Sequence, residues 1–208
     1  VSLPRDFLPL WVMNKSLYRN QAKSFLHKRG ITDWDIKKYK IGFCDSGLYE
    51  GRIIIPSYDD MGLLNYFVGR SFVGEKMKYK NPNVSRDIIP FDWYIAWSKP
   101  IILCEGVFDA MSIRSNAIPM LSKKPSKNLL RKIFERNIKT IYIALDDDAK
   151  KDAYNMSEFF KDFGIDSKVV KLPKNQDPND LGWKKITTLI NSTESASFSD
   201  SIQAKLYG

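Results

Sequence analysis

The sequence predicts an α/β protein in which a small α+β subdomain, residues 1–98, precedes a domain with a mainly parallel sheet, residues 99–190. The chain has 208 residues, which accommodates one large or two small domains at about 100–200 residues per domain. Before Lys99 and Pro100, short β-rich runs are separated by turns. After them, apolar runs alternate with amphipathic segments, which is typical of βαβ units and a parallel sheet.

In the first 98 residues the pattern predicts two helices and a hairpin. One helical stretch ends at Gly30, and a second begins after Thr32, which is placed to cap it together with Asp35. Two strand-like runs flank a turn and therefore predict a β-hairpin. These runs cover residues 51–58 and 63–72, and a third run that is able to join the same sheet covers 77–82.

From Pro100 onward, predicted strands alternate with predicted helices. The strands cover residues 101–104, 117–121, 140–145 and 167–172. The helices cover residues 107–115, 126–136 and 149–163. The end of the chain is rich in Ser and Thr, and we interpret residues 191–208 as a flexible C-terminal tail.

The composition excludes several classes of protein. With 43% hydrophobic and 13% aromatic residues, the chain is neither collagen-like nor wholly disordered. No apolar run approaches the ~20 residues that span a bilayer. Arg5 and Asp6 interrupt the apolar N-terminal stretch, which therefore does not resemble a signal peptide. We expect a cytoplasmic protein that does not bind membranes.

The net charge and the cysteine content indicate which kinds of ligand the chain is suited to bind. The 33 Lys and Arg residues exceed the 24 Asp and Glu residues and give a net charge of +9, which suits a polyanion such as nucleic acid. Cys44, Cys104 and His27 do not form a set with zinc-ligand spacing, so we expect two buried free thiols.

Acidic side chains follow two of the predicted strands directly. Glu105 directly follows the run at 101–104. The run at 140–145 is directly followed by Asp146, Asp147 and Asp148. Ligands of open parallel sheets bind outside the carboxyl ends of the strands. Several carboxylates gathered there favour a hard divalent cation such as Mg²⁺. Asp147 lies between two alternating acids and is the least suited of the three to be a ligand.

A simpler interpretation stays open at this point. The three aspartates would cap the next helix and interact with its positive end, and Glu105 would be a solvated loop residue. The placement of both acidic groups directly after β-rich runs of one βαβ series favours the metal site.

The motifs in these segments resemble a known family. IILCEGVFDAMS (101–112) and IYIALDDDAKKDA (141–153) resemble the E-G-x-x-D and D-x-D signatures of the TOPRIM domain, which has a Rossmann-like fold and occurs in DNA primases, topoisomerases and some nucleases. Further segments resemble the catalytic core of the DnaG-type primases of bacteria and bacteriophages, in the family's order over residues 21–182. They are QAKSFLHKRGIT (21–32), KYKIGFC (38–44), GRIIIPSYDDMGLLNYFVGRSF (51–72), KYKNP (78–82) and QDPNDLG (176–182).

The resemblance implies a DNA-directed RNA polymerase that joins ribonucleoside triphosphates into short RNA primers on a single-stranded DNA template. It implies Glu105 as the essential glutamate and, with Asp146 and Asp148, as a ligand of Mg²⁺ or Mn²⁺. Asp109 would be a supporting catalytic acid, and Asp177 a further ligand or an acid behind the ligands.

The same resemblance assigns nucleotide and template binding to four basic residues. They are Arg52, Arg70, Lys78 and Lys80. A replicative helicase would be a partner through a region that this chain does not contain. No cysteine precedes Cys44, so we expect the chain to lack the zinc-binding domain that precedes the core in the family.

Two positions depart from the family pattern. Ala149 follows the D-x-D element where a glycine is common, and Asn179 stands where many members have a second acid. The acids alone also leave two other functions open. One is a TOPRIM nuclease or topoisomerase-like phosphodiester enzyme, and the other is a non-catalytic module that binds single-stranded DNA.

Overall fold

The computed structural model describes residues 1–194, and these divide into two compact units. The first unit is Val1–Arg86, and the second begins at Asp87. We expected the boundary at residue 98. Residues 87–98 belong with the second unit because Ile89 packs into that unit's core and the backbone carbonyl of Ile88 accepts a hydrogen bond from Ser126 Oγ.

The first unit is a four-stranded antiparallel sheet with the order β1-β2-β3-β4, accompanied by two helices. The strands are β1 (Phe7–Pro9), β2 (Gly42–Cys44), β3 (Arg52–Tyr58) and β4 (Leu64–Ser71). The helices are α1 (Tyr18–Lys28) and α2 (Asp33–Lys38). The predicted hairpin is confirmed as β3 and β4, and Thr32 and Asp35 form the predicted cap of α2.

Two strands of this sheet were not predicted. β1 and β2 have three residues each, too few for an alternating pattern to show in the sequence. They pair with each other, and β2 also pairs with β3. Gly42 is required in β2 because a Cβ atom there would lie 2.3 Å from the ring of Phe7. Residues 78–80 run along β4 as a short antiparallel bridge in place of a full fifth strand.

The second unit is a parallel sheet with the order β6-β5-β7-β8. The strands are β5 (Ile101–Cys104), β6 (Ala117–Pro119), β7 (Thr140–Ala144) and β8 (Asp166–Val169). The helices are α3 (Val107–Ile113), α4 (Lys127–Glu135), α5 (Lys150–Asp162) and α6 (Pro178–Ser192). The predicted alternation of strands and helices is therefore confirmed.

Helix α6 was missed in the sequence. It begins at a capping box of Asp177 and Asp180 with Pro178 at its first position, and it packs against α3. Gly182 has φ 70° and interrupts the helical backbone, which weakens the helical pattern of this segment. Residues 191 and 192 of the expected tail belong to α6, residues 193 and 194 follow the helix, and the residues from 195 onward lie outside the described part of the chain. None of the helices within residues 1–194 is long and apolar enough to cross a membrane.

Candidate metal centre

The order of the parallel sheet brings three acidic side chains together. β5 and β7 are neighbours, with Cys104 opposite Ala144 at their carboxyl ends. The chain leaves β5 directly into Glu105, and it leaves β7 through Leu145 into the segment of Asp146 and Asp148. Each of these three residues offers a carboxylate oxygen within 4.8 Å of the other two. The predicted convergence is therefore confirmed for these residues.

The backbone holds the two loops in contact. The N–H of Asp146 donates a hydrogen bond to Glu105 Oε1 over 3.3 Å, which connects the residue after β5 with the segment after β7. Asp146 also begins a short 3-10 turn, Asp147–Ala149, that leads into α5. The alanine at 149, where the family commonly has glycine, is 1% exposed and packs into the core of this unit.

The electrostatics of the cluster favour a cation. Burial, the neighbouring Glu105 and the more distant Asp177 raise the pKa of Asp146 to about 6. Burial likewise raises the pKa of Glu105. Asp146 Oδ1 is buried and accepts no hydrogen bond within the part of the chain that the structure describes. A buried carboxylate oxygen without a donor, among two further carboxylates, is the environment that a hard divalent cation stabilises. The donor set thus fits a divalent metal.

Asp109 lies behind this cluster rather than in it. It is 7% exposed, and its Oδ2 accepts a hydrogen bond of 2.9 Å from the N–H of Gly106 at the start of α3. Burial, with the charges of Asp177 and Asp146, raises the pKa of Asp109 to about 7. This contact fixes the turn that directly follows Glu105.

The remaining acids have different surroundings. Asp147 forms an ion pair with Lys150, which holds its pKa below the usual range, and it is not a member of the cluster. Asp177 caps α6, where its Oδ1 accepts a hydrogen bond of 2.6 Å from the N–H of Asp180. Asp177 is also outside the group of three, although its charge raises the pKa of both Asp109 and Asp146.

Asn179, the second departure from the family pattern, has a structural contact. Its Nδ2 donates a hydrogen bond of 2.7 Å to Ser112 Oγ, which ties α6 to α3. An amide is able to make this contact, and its neutrality avoids adding another charge beside Asp109 and Asp177.

The four predicted basic residues all lie in the first unit, but one of them is buried. Arg52 is 3% exposed, donates a hydrogen bond of 3.0 Å to the carbonyl of Met77 and pairs with Glu75. This placement differs from the expected phosphate contact, because the guanidinium group is directed into the segment at 75–78. Arg52 thereby anchors the chain next to Lys78.

The other basic residues are more accessible. Arg70 is half-buried, and its guanidinium group lies 4.7 Å from the ring centroid of Tyr79 and 5.9 Å from that of Phe25. Lys78 is exposed. Lys80 is half-buried, and its Nζ donates to the carbonyl of Leu48 over 2.9 Å. Gly69 allows the backbone of Lys80 to lie close to β4, because a Cβ atom at position 69 would lie 2.2 Å from the carbonyl oxygen of Lys80.

One residue at the cluster was missed in the sequence. Lys123, between β6 and α4, pairs with Asp148 at 2.9 Å. The contact joins positions 25 residues apart and has no local sequence signal.

Comparison with known proteins agrees with these features. Residues 102–182 match the Toprim-like family model, and this range contains the three-carboxylate cluster. The chain is 26% identical to the DNA primase of Campylobacter jejuni over 231 aligned residues, which cover 84% of this chain and 37% of the relative. The chain thus spans little more than a third of the length of that relative.

Solved structures share the fold. The DnaG primase catalytic domain bound to single-stranded DNA superposes with a TM-score of 0.76 and 16% identity, over 93% of this chain and 77% of that one. The RNA polymerase domain of the Mycobacterium tuberculosis primase DnaG has the same TM-score of 0.76 and 16% identity, over 93% of this chain and 82% of that one. The chain therefore has the fold of a DnaG-type primase catalytic core and contains a Toprim-like domain with three converging carboxylates.

Proposed function

We propose that the chain is the catalytic core of a DNA primase, a nucleotidyltransferase that makes short RNA primers on single-stranded DNA in the cytoplasm. The observation that carries the proposal is the convergence of Glu105, Asp146 and Asp148 at the carboxyl end of the parallel sheet, within the Toprim-like segment. Sequence similarity to DNA primases and the fold of the primase core support it.

The three carboxylates would hold Mg²⁺ or Mn²⁺. In primer synthesis a ribose 3′-hydroxyl attacks the α-phosphate of a nucleoside triphosphate, and pyrophosphate leaves. A metal bound at such a site lowers the pKa of the attacking hydroxyl and neutralises charge that develops on the phosphate. Asp109 acts as a positioning residue, because its bond to the N–H of Gly106 fixes the turn that presents Glu105. Asp177 contributes negative charge behind the ligands.

The exposed and half-buried basic residues of the first unit would bind template and nucleotide. Lys78 and Lys80 would contact phosphates, and the guanidinium group of Arg70 lies beside the exposed ring of Tyr79. Arg52 keeps the segment at 75–78 in place through Glu75 and the carbonyl of Met77. A replicative helicase is a proposed partner of the whole protein. One structural relative, the DnaG primase catalytic domain bound to single-stranded DNA, supports the proposed template.

The test is incorporation of labelled ribonucleotides on single-stranded DNA, with Mg²⁺ or Mn²⁺ and with a short RNA primer supplied in parallel. We expect the double variant Asp146→Asn/Asp148→Asn, and separately Glu105→Gln, to lose about 100-fold or more of the metal-dependent activity, because ligands are removed. Asp147→Asn is the matched control. It removes a carboxylate from the same turn, but that carboxylate pairs with Lys150, so we expect nearly full activity.

Two results would contradict the proposal. Undiminished incorporation by the double variant would show that the carboxylates do not support the reaction. Metal-dependent degradation of the template without incorporation would instead indicate a nuclease.

A further inference from the structure

The loop between β6 and α4 brings a positive charge to the acidic cluster. Lys123 Nζ lies 2.9 Å from Asp148 Oδ2. β5 lies between β6 and β7 in the sheet. Lys123, which follows β6, therefore reaches Asp148, which follows β7, over the end of β5, where Glu105 lies. The ammonium group therefore lies beside the same carboxylates that would hold a metal.

The charge of Lys123 acts on the whole cluster. Burial raises the pKa of Glu105 and of Asp146, and the positive charge of Lys123 opposes that rise at both residues. One lysine thus partly neutralises three acids, which is a function that a bound cation would otherwise have.

The ion pair is also easily exchanged. The side chains of Lys123 and Asp148 are 43% and 75% exposed, and pairs of this exposure contribute little to stability. A divalent cation carries twice the charge of an ammonium group and binds several carboxylate oxygens at once. It is therefore able to displace Lys123 from Asp148 without disturbing the fold.

We propose that Lys123 is a built-in counter-ion of the metal centre, which neutralises Asp148 before the metal binds and competes with the metal for that carboxylate. The inference rests on the proposed metal site and adds a determinant of its affinity. Loading of the centre becomes an exchange of one ammonium group for a divalent ion. The affinity for the metal is then lower than three unpaired carboxylates would give.

The experiment measures binding of Mn²⁺ alone to the full chain by isothermal titration calorimetry, at low ionic strength and pH 8, without nucleotide or DNA. We expect Lys123→Met to bind Mn²⁺ about two- to fivefold more tightly than the original chain, because the competing charge is absent. High ionic strength should reduce the difference, since both groups are exposed.

Lys124→Met is the matched control. It removes the same charge one residue further on, but Lys124 lines a groove of about 360 Å³ with Leu130 and Phe159, and none of the cluster acids lines that groove. We expect its Mn²⁺ affinity to remain close to the original. Lys123→Gln serves as a second charge-removing variant, and circular dichroism of each variant establishes that it is folded.

The outcomes separate the two proposals. Equal or weaker Mn²⁺ binding by Lys123→Met, or equal tightening by Lys124→Met, overturns the counter-ion role. If the original chain binds Mn²⁺ and Asp146→Asn abolishes that binding, the metal site remains supported even when the counter-ion role fails. If neither the original chain nor Lys123→Met binds Mn²⁺, the metal site itself is rejected and the counter-ion role with it.

Discussion

At the scale of single residues, Asp109 shows how burial and function oppose each other. Its carboxyl group is 7% exposed and lies close to the charges of Asp177 and Asp146, so ionisation without a cation is costly. Its pKa rises from the ordinary 3.8 to about 7. The hydrogen bond from the N–H of Gly106 offsets part of this rise, because it stabilises the ionised carboxylate, and it also fixes the turn that follows Glu105.

This shift predicts how stability depends on pH. In metal-free protein, Asp109 holds a proton up to about pH 7 when folded and releases it near pH 4 when unfolded. The folded state binds more protons in this window, so the free energy of unfolding should fall as pH rises from 4 to 7. The decrease from this group is of the order of 4 kcal/mol at most.

Thermal unfolding in EDTA across this pH range checks the prediction. Asp109→Asn keeps an acceptor for the N–H of Gly106 and should flatten the decline, leaving a smaller one from Asp146, whose pKa is about 6. Asp162→Asn, at the exposed end of α5, should reproduce the original profile. An unchanged slope in Asp109→Asn would show that Asp109 ionises normally in the folded protein.

The sequence predicted correctly the convergence of those residues whose place follows from the alternation of strands and helices. Glu105, Asp146 and Asp148 converge because parallel strands end at one edge of a sheet. The burial of Arg52 was not predictable, because it depends on Glu75, a partner 23 positions away in a segment without regular structure. Lys123 reaches Asp148 across a similar separation, so neither contact leaves a local pattern.

At the scale of elements, one buried ion pair ties the segment before β5 to α4. Lys132 Nζ lies 2.6 Å from Asp92 Oδ2, with the two side chains 12% and 4% exposed. Trp97 Nε1 donates a hydrogen bond of 2.8 Å to the other oxygen of Asp92. Together with the packing of Ile89 and the bond from Ser126, these contacts hold residues 87–98 in the second unit.

Breaking this pair should be costly. Asp92→Asn leaves the Lys132 ammonium group buried beside a neutral amide, and we expect a loss of about 3 kcal/mol in the free energy of unfolding, measured with urea. Lys132→Met should cost a similar amount. Asp92→Asn/Lys132→Met should cost clearly less than the sum of the two, because no charge is then left without its partner.

Arg131→Met provides the comparison for this pair. Arg131 is on the same helix and pairs with Glu135 at 3.7 Å, but both side chains are more than 60% exposed. Its removal should change stability by less than about 0.5 kcal/mol. Strict additivity of the two changes at Asp92 and Lys132 would show that the pair does not act as a unit.

The helices and strands that the sequence predicted are those with a clear pattern of apolar residues or with a helix-capping motif. The strands of the parallel sheet are short apolar runs, and α2 carries its capping box in the sequence. β1 and β2 are too short to show a pattern, and their pairing is decided by the rest of the sheet. Helix α6 has a capping box that was available in the sequence, but Gly182 breaks its periodicity.

At the scale of the whole molecule, the net charge of +9 favours binding to a polyanion. Binding of the full chain to a single-stranded oligonucleotide should weaken steadily as salt increases, because phosphate contacts release bound counterions. Each lysine that contacts a phosphate should contribute about −0.7 to the slope of log affinity against log salt.

Lys78→Met should therefore weaken binding and make this slope about 0.7 less steep, as measured by fluorescence anisotropy. Lys139→Met is the control, because Lys139 is an exposed lysine of the second unit whose Nζ donates to Asn137. Equal effects of the two substitutions would indicate that net charge alone, rather than a surface containing Lys78, attracts the oligonucleotide.

Helix α3 has a consequence for how this sequence is able to diverge. All seven of its residues are buried, and Ser112 is bonded to Asn179 of α6. A helix without a solvent-facing position has no site where substitutions accumulate freely. Changes in its side-chain volume require matching changes in α6. Substitutions in the two helices are therefore expected to be coupled, because the segment that follows Glu105 is held in shape by a contact with a residue 67 positions further along the chain.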